Sequence, residues 1–210
     1  MTTHLPIPFL ILLLPTLLSA PFPVLSVEPV PPKSYIEKQC DATRYPTLCV
    51  QCLSTFANST AHQTPEHLAR IALSVSLYRA RVTRSFLIKV VQELKSLRPS
   101  REHLVVQDCL EQLADGVNQL SRSILELRGL WRGRGEAYWH VRNIESWISA
   151  AQTDAYTCLD EFRGKKMSKL RATIKAKVMN VAETASNALA LFQRFVAARY
   201  GAGLVFNRHP

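Results

Sequence analysis

Five cysteines, Cys40, Cys49, Cys52, Cys109 and Cys158, are the residues whose type and spacing best suit chemistry. Such thiols can pair as disulfides in an oxidising compartment, exchange electrons as a CxxC motif, or hold zinc. Cys49-Val50-Gln51-Cys52 has CxxC spacing. It has no βαβ setting and no second CxxC, and His62 and His67 straddle the start of a helix instead of standing at ligand spacing. Disulfides are the reading, and an odd count leaves one thiol over. Cys109 and Cys158 fall on the apolar stripes of two consecutive helices, so a bridge there would tie those helices together. Cys40 with Cys49 would close a tight hairpin, but Cys52 lies one helical turn further on and Cys40–Cys52 stays open. The histidines (His4, His62, His67, His103, His140 and His209) have no triad setting. Nucleophile elbow, HExxH and phosphate-loop patterns are all missing from the sequence. No enzyme, metal site or cofactor is expected.

The compartment follows from the first residues. Residues 5–18 are almost wholly apolar, and no charged side chain precedes Glu28. An apolar run this short at the start of a chain reads as a secretory signal peptide, since a membrane span needs about 20 residues. Cleavage after Ser26 is favoured over Ala20, because Pro21 would follow the earlier cut. Residues 27–33 belong to a proline-rich stretch that should be extended and poorly ordered. No later segment is apolar enough to span a membrane. The formal charge of +10 and pI near 9.7 therefore belong to the secreted part. Such a protein is drawn to polyanions. Secretion and the lack of any reader motif argue against nucleic acid.

Helices must position the cysteines. Thr64-Pro65 supplies a cap followed by a proline whose missing N–H costs nothing. From there Leu68, Ile71, Val75, Tyr78, Val82, Phe86, Val90, Leu94 and Leu97 recur by threes and fours, as one helix face requires. Arg98-Pro99-Ser100 ends that helix, and Ser100 caps a second with Val106, Cys109, Leu113, Val117, Leu120, Ile124 and Leu127. A loop over 128–135 breaks it. The third carries Ala137, Val141, Ile144, Ile148, Ala151, Ala155, Cys158 and Phe162. The fourth, from about Ser168 to Tyr200, carries Leu170, Ile174, Val178, Val181, Ala185, Ala188, Phe192 and Phe195. Four long amphipathic helices with short links predict an all-α, antiparallel up-and-down four-helix bundle over 64–201. Shorter helical pieces over 34–62 form an N-terminal hairpin extension, and 202–210 are a tail.

At this point the chain resembles the plant invertase and pectin methylesterase inhibitors. Cys40-x-x-Thr43-x-Tyr45-Pro46-x-x-Cys49 looks like their opening motif. Asp108-Cys109-Leu110-Glu111 is similar to the cysteine motif of their second bundle helix. Ser149-Ala150-Ala151 with Thr153, and then Thr157-Cys158-Leu159-Asp160-Glu161-Phe162, match the next. Ser186-Asn187-Ala188-Leu189-Ala190-Leu191 resembles the motif of the last helix. The resemblance spans roughly residues 34–195. It implies a four-helix bundle with a helical hairpin, bridges Cys40–Cys49 and Cys109–Cys158, and an unpaired Cys52.

The resemblance also implies a partner. Members of that family block either pectin methylesterases or acid invertases. Invertase-inhibiting members carry Pro-Lys-Phe after the fourth bridging cysteine, where this chain reads Phe162-Arg163-Gly164-Lys165-Lys166-Met167. Pectin methylesterase is therefore the expected partner, with acid invertase as the alternative. Matching the cysteines places Glu111, Asp115, Thr157 and Asp160 at positions similar to the family's contact residues. Glu111, Asp115 and Asn118 share one helix face by spacing, and Thr157 and Asp160 flank Cys158. The plain alternative is a solvated face, with Asp160 paired to Arg163 or a lysine at its own helix end and Thr157 bonded to the backbone a turn back.

Two further expectations concern the surface. The 128–135 loop and the cluster Lys165, Lys166, Lys169, Arg171, Lys175 and Lys177 could grip demethylated pectin, although charge runs are more often solvated faces. Asn58-Ser59-Thr60 fits the N-glycosylation sequon.

Overall fold

Serine and threonine caps start three of the helices, the one at Thr64 as the sequence places it. Ser34 and Glu37 form a reciprocal capping box, with Ser34 N–H donating to Glu37 Oε2 at 2.6 Å and Glu37 N–H to Ser34 Oγ at 3.3 Å. Thr64 Oγ1 accepts from His67 N–H at 3.2 Å, and Ser168 Oγ from Arg171 N–H at 3.2 Å. A computed structural model of the chain describes residues 34–56, 64–97, 101–132, 136–162 and 168–201. The signal segment, the 27–33 stretch, the Asn58 sequon, the Ser100 cap, Lys165, Lys166 and the tail lie outside the described residues.

Six α-helices follow: α1 Tyr35–Cys40, α2 Pro46–Leu53, α3 Pro65–Leu97, α4 Arg101–Trp131, α5 Ala137–Asp160 and α6 Lys169–Tyr200, with a short 3₁₀ turn at Ser54–Phe56. Helices α3 to α6 form the expected four-helix bundle, each packed on its neighbours in chain order, and α6 closes the ring on α3. Cross-links between opposite helix ends show the antiparallel order. The start of α4 meets the end of α5 through Cys109–Cys158, and the end of α4 meets the start of α5 through Glu126 and His140. Arg199 near the end of α6 pairs with Glu66 at the start of α3.

The core is mostly the one the stripes anticipate. Cys109, Leu113, Leu120 and Leu127 of α4 are buried, as are Ile144, Ile148, Ala151 and Cys158 of α5 and Ile174, Val178, Phe192 and Phe195 of α6. Two expectations fail. In α3, Tyr78 is 63 % exposed and Val82 43 %, while Ala69, Ala72, Ser76, Ala80, Thr83 and Leu87 face the core. Small residues let helices approach closely, and the polar Ser76 and Thr83 disguise that face in a hydrophobicity pattern. Helix α4 also continues through Gly129 to Trp131 where a loop was expected. Burial of Leu130 and packing of Gly129 on the His140 ring outweigh the roughly 1 kcal/mol helix penalty of glycine.

The α1–α2 hairpin is closed by the Cys40–Cys49 disulfide, Cα–Cα 5.6 Å, with Cys52 free and half-buried. It lies against α3 and α6. Asn187 of α6, 4 % exposed, fastens it: Tyr45 N–H donates to Asn187 Oδ1 at 3.1 Å, and Asn187 Nδ2 donates to the Tyr45 carbonyl at 2.9 Å. Tyr45 has no side-chain cap of its own at the start of α2. One side-chain amide therefore satisfies both backbone groups of the residue entering α2. The Tyr45 and Tyr156 hydroxyls lie 3.3 Å apart, and this hydrogen bond, with burial, raises the Tyr45 phenol pKa above its ordinary range. Arg194 Nε adds a bond to Gln39 Oε1 at 2.8 Å.

Candidate partner-binding surface

Every contact position that the resemblance implies lies on α4 or α5, the two helices tied by the second disulfide. Cys109 and Cys158 are bonded across it at a Cα–Cα distance of 4.4 Å, and both are fully buried. One to two turns along, Gly116 faces Ala151, whose carbonyl oxygen lies 3.6 Å from where a Cβ on Gly116 would stand. The bridge and this small pair hold the two helices close together. Further along, Glu126 Oε1 lies 3.0 Å from His140 Nδ1 and accepts from Asn143 Nδ2 at 2.9 Å. On the far side of α5, buried Glu145 accepts from Arg142 at 3.0 Å and from Gln193 of α6 at 3.2 Å. The two helices are thus clamped along most of their length.

Glu111 and Asp115 of α4 and Thr157 and Asp160 of α5 are all exposed. Glu111 and Thr157 lie within two residues of the bridged cysteines, so the disulfide brings them to the same end of the seam. Asp115 lies one turn further along α4. Asp160 is the last residue of α5, about 60° further around that helix from Thr157 at 3.6 residues per turn. The four form a broad band around the bridge, not a single cluster. Thr157 Oγ1 donates to the Thr153 carbonyl at 3.0 Å, and Thr153 Oγ1 to the Ser149 carbonyl at 3.0 Å. Each hydroxyl thereby commits its proton to the helix and presents its lone pairs outward, as acceptors.

Sequence reasoning missed Asp154. Its Oδ2 is buried and has no hydrogen-bond partner among the described residues. Burial pushes the carboxyl pKa above the usual carboxylate range, and the Asp115 carboxylate across the seam pushes it further. The signal was present: Asp154 follows Ala151 by three residues and precedes Cys158 by four, so it shares their helix face. A raised pKa means that the folded chain holds this proton more tightly than the unfolded chain. The contribution to stability is complete below the ordinary Asp range and is lost as pH rises through the raised value. Asp154→Asn should therefore raise Tm at pH 7 by about 1–2 °C and give no gain at pH 3, read by thermal unfolding at the two pH values.

Two of the basic side chains on α6 have partners within the bundle. Arg171 Nε donates to Glu102 Oε1 at 3.0 Å, and the Lys177 ammonium sits 5.1 Å from the centre of the Phe86 ring. Residues 128–131 are helical instead of forming part of a loop.

The chain is thus a disulfide-tied up-and-down four-helix bundle with a docked N-terminal hairpin. Residues 34–191 match the family model of the plant invertase/pectin methylesterase inhibitors. The chain belongs to that family, which makes it a non-enzymatic protein and supports a secreted, cell-wall location. It is 38 % identical over 168 residues to pectinesterase inhibitor 9 of Arabidopsis thaliana, covering 79 % of this chain and 82 % of that one. Over 169 residues it is 38 % identical to a 21 kDa protein of Daucus carota, covering 80 % and 86 %. The fold is similar to the crystal structure of a mutant form of a pectin methylesterase inhibitor from Arabidopsis, with TM-score 0.60, 20 % identity and coverage of 76 % and 96 %. Among the described residues, no helix is long and apolar enough to cross a membrane, and no group of His, Cys, Asp and Glu could hold a metal.

Proposed function

We propose that this protein inhibits pectin methylesterase by laying the α4–α5 seam across the enzyme's pectin cleft, and so regulates methylesterification of wall pectin. The observation that carries this reading is the 38 % identity to pectinesterase inhibitors 9 and 11 of Arabidopsis thaliana. The exposed carboxylates of Glu111, Asp115 and Asp160, and the outward lone pairs of Thr157, then meet basic and hydroxyl groups on the enzyme. Residues 1–26 act as a signal peptide removed after Ser26, and the mature protein works in the apoplast. A glycan on Asn58 is consistent with that route.

The decisive measurement titrates the mature protein into a plant pectin methylesterase and, separately, into an acid invertase. Inhibition of the esterase alone is expected; inhibition of the invertase alone would reverse the assignment. Within the esterase complex, Asp115→Asn should weaken inhibition by about 10- to 100-fold, the worth of a charge-assisted hydrogen bond of about 1.5–3 kcal/mol. Inhibition should also weaken as salt rises or pH falls. An inhibition constant unmoved by the substitution, salt and pH would remove the carboxylates from the interface.

A further inference from the structure

A second surface lies on α3 and α4, away from the α4–α5 seam. A groove of about 400 Å³ runs past Arg70, Ile124, Arg128 and Trp131, and it continues as another of about 440 Å³ past Tyr78, Arg81 and Arg128. Ser74, Ile124 and Arg128 line both stretches, so the two form one channel over the helix seam. No carboxylate lines either stretch. Among the described residues, neither Arg81 nor Arg128 is paired with a carboxylate. Tyr78, which a buried stripe would have hidden, stands 63 % exposed between Arg70 and Arg81. At 1.5 Å per residue those two arginines are about 16 Å apart along α3, room for several consecutive sugar rings.

We propose that this groove binds a stretch of unesterified polygalacturonate, the anionic chain that a pectin methylesterase leaves behind. The choice of occupant rests on the esterase reading above. The chemistry rests on the groove. Guanidinium groups pair with carboxylates through two parallel hydrogen bonds, and they stay charged at any wall pH. An aromatic face, negative at its centre, suits the apolar C–H face of a pyranose ring. Arginines spaced along a channel with an aromatic between them therefore match a polymer that alternates carboxylates with apolar ring faces. A methylesterified chain has lost the charges the arginines would meet. The groove would hold the inhibitor on de-esterified stretches while the α4–α5 seam stays open to the enzyme.

The test measures direct binding of the mature protein, with no esterase present, to sodium polygalacturonate, highly methylesterified pectin, heparin and vesicles containing phosphatidylserine. Polygalacturonate should bind at least 10-fold more tightly than the other three. The Arg81→Gln/Arg128→Gln double variant should weaken that binding at least 10-fold, Tyr78→Ala should weaken it several-fold, and Lys175→Gln/Lys177→Gln should change it less than 2-fold. Tyr78, Arg81 and Arg128 are exposed and the two lysines half-buried, and far-UV circular dichroism checks that each variant is folded. Undiminished binding by the double arginine variant overturns the proposal, as does equal loss from the lysine pair. Binding to heparin or to the vesicles as tight as to polygalacturonate also overturns it, since generic polyanion attraction would then explain the result. Esterase inhibition by the same variants is measured in parallel and should stay unchanged. A failure to inhibit any esterase, with polygalacturonate binding intact, would indict the esterase reading and leave the groove standing.

Discussion

Replacing Cys109 and Cys158 together by alanine is expected to lower the unfolding free energy by about 4 kcal/mol. The bridge closes a loop with a sequence separation of 49 residues, and the chain entropy denied to an unfolded loop of that length is about 4 kcal/mol. The Cys40–Cys49 bridge, with a separation of 9, is worth about 3 kcal/mol on the same basis. Total stabilities of single domains lie near 5–15 kcal/mol, so the double alanine variant should fold with a much reduced margin. Urea unfolding of the wild type and variant checks this. A loss under about 1 kcal/mol would show that packing of α4 on α5 already restrains the unfolded chain. The variant also separates stability from binding. If the bridge serves the partner surface by holding Glu111 and Thr157 at one end of the seam, inhibition should weaken even at temperatures where the variant is fully folded.

Asn187→Ala should cost about 2–4 kcal/mol and release the N-terminal hairpin from the bundle. The wild-type amide satisfies both the N–H and the carbonyl of Tyr45, with Asn187 itself almost fully buried. Alanine leaves two backbone groups without partners, at about 1–3 kcal/mol each, partly recovered when the hairpin lifts and water reaches them. The observable consequence is local. Amides in α1 and α2 should exchange with solvent far faster than those of α3 to α6, while the bundle keeps its protection. Asn187→Asp is the discriminating companion. It retains the acceptor for Tyr45 N–H but sets a carboxylate against the Tyr45 carbonyl, so it too should loosen the hairpin. Equal exchange rates in wild type and both variants would mean that the disulfide and the Tyr45–Tyr156 contact hold the hairpin without the amide.

These two expectations rest on features that differ in how they could be read. The cysteines on the α4 and α5 stripes needed only helical periodicity and chain order, because consecutive helices joined by short links must run antiparallel. Asn187 was visible as part of a motif near the end of the chain and Tyr45 as part of one near the start. Their joint role was not visible, since a hydrogen bond across 142 residues leaves no trace in local pattern.

The helix count, the caps at Ser34, Thr64 and Ser168, and the core faces of α4, α5 and α6 were set by local sequence. Helical propensity, capping and 3.6-residue periodicity act over a few neighbouring positions, so they can be read from those positions alone. The face of α3 was decided only in the tertiary structure. Its small and hydroxyl residues pack inward because the neighbouring helices come close, leaving Tyr78 and Val82 outside. The same is true of α4 past Gly129, where burial of Leu130 extends a helix that propensity would have ended. Asp154 is the clearest case: its carboxyl is perturbed by burial in the seam and by Asp115 on the facing helix. Desolvation and charge proximity are properties of space, and only packing brings those groups together.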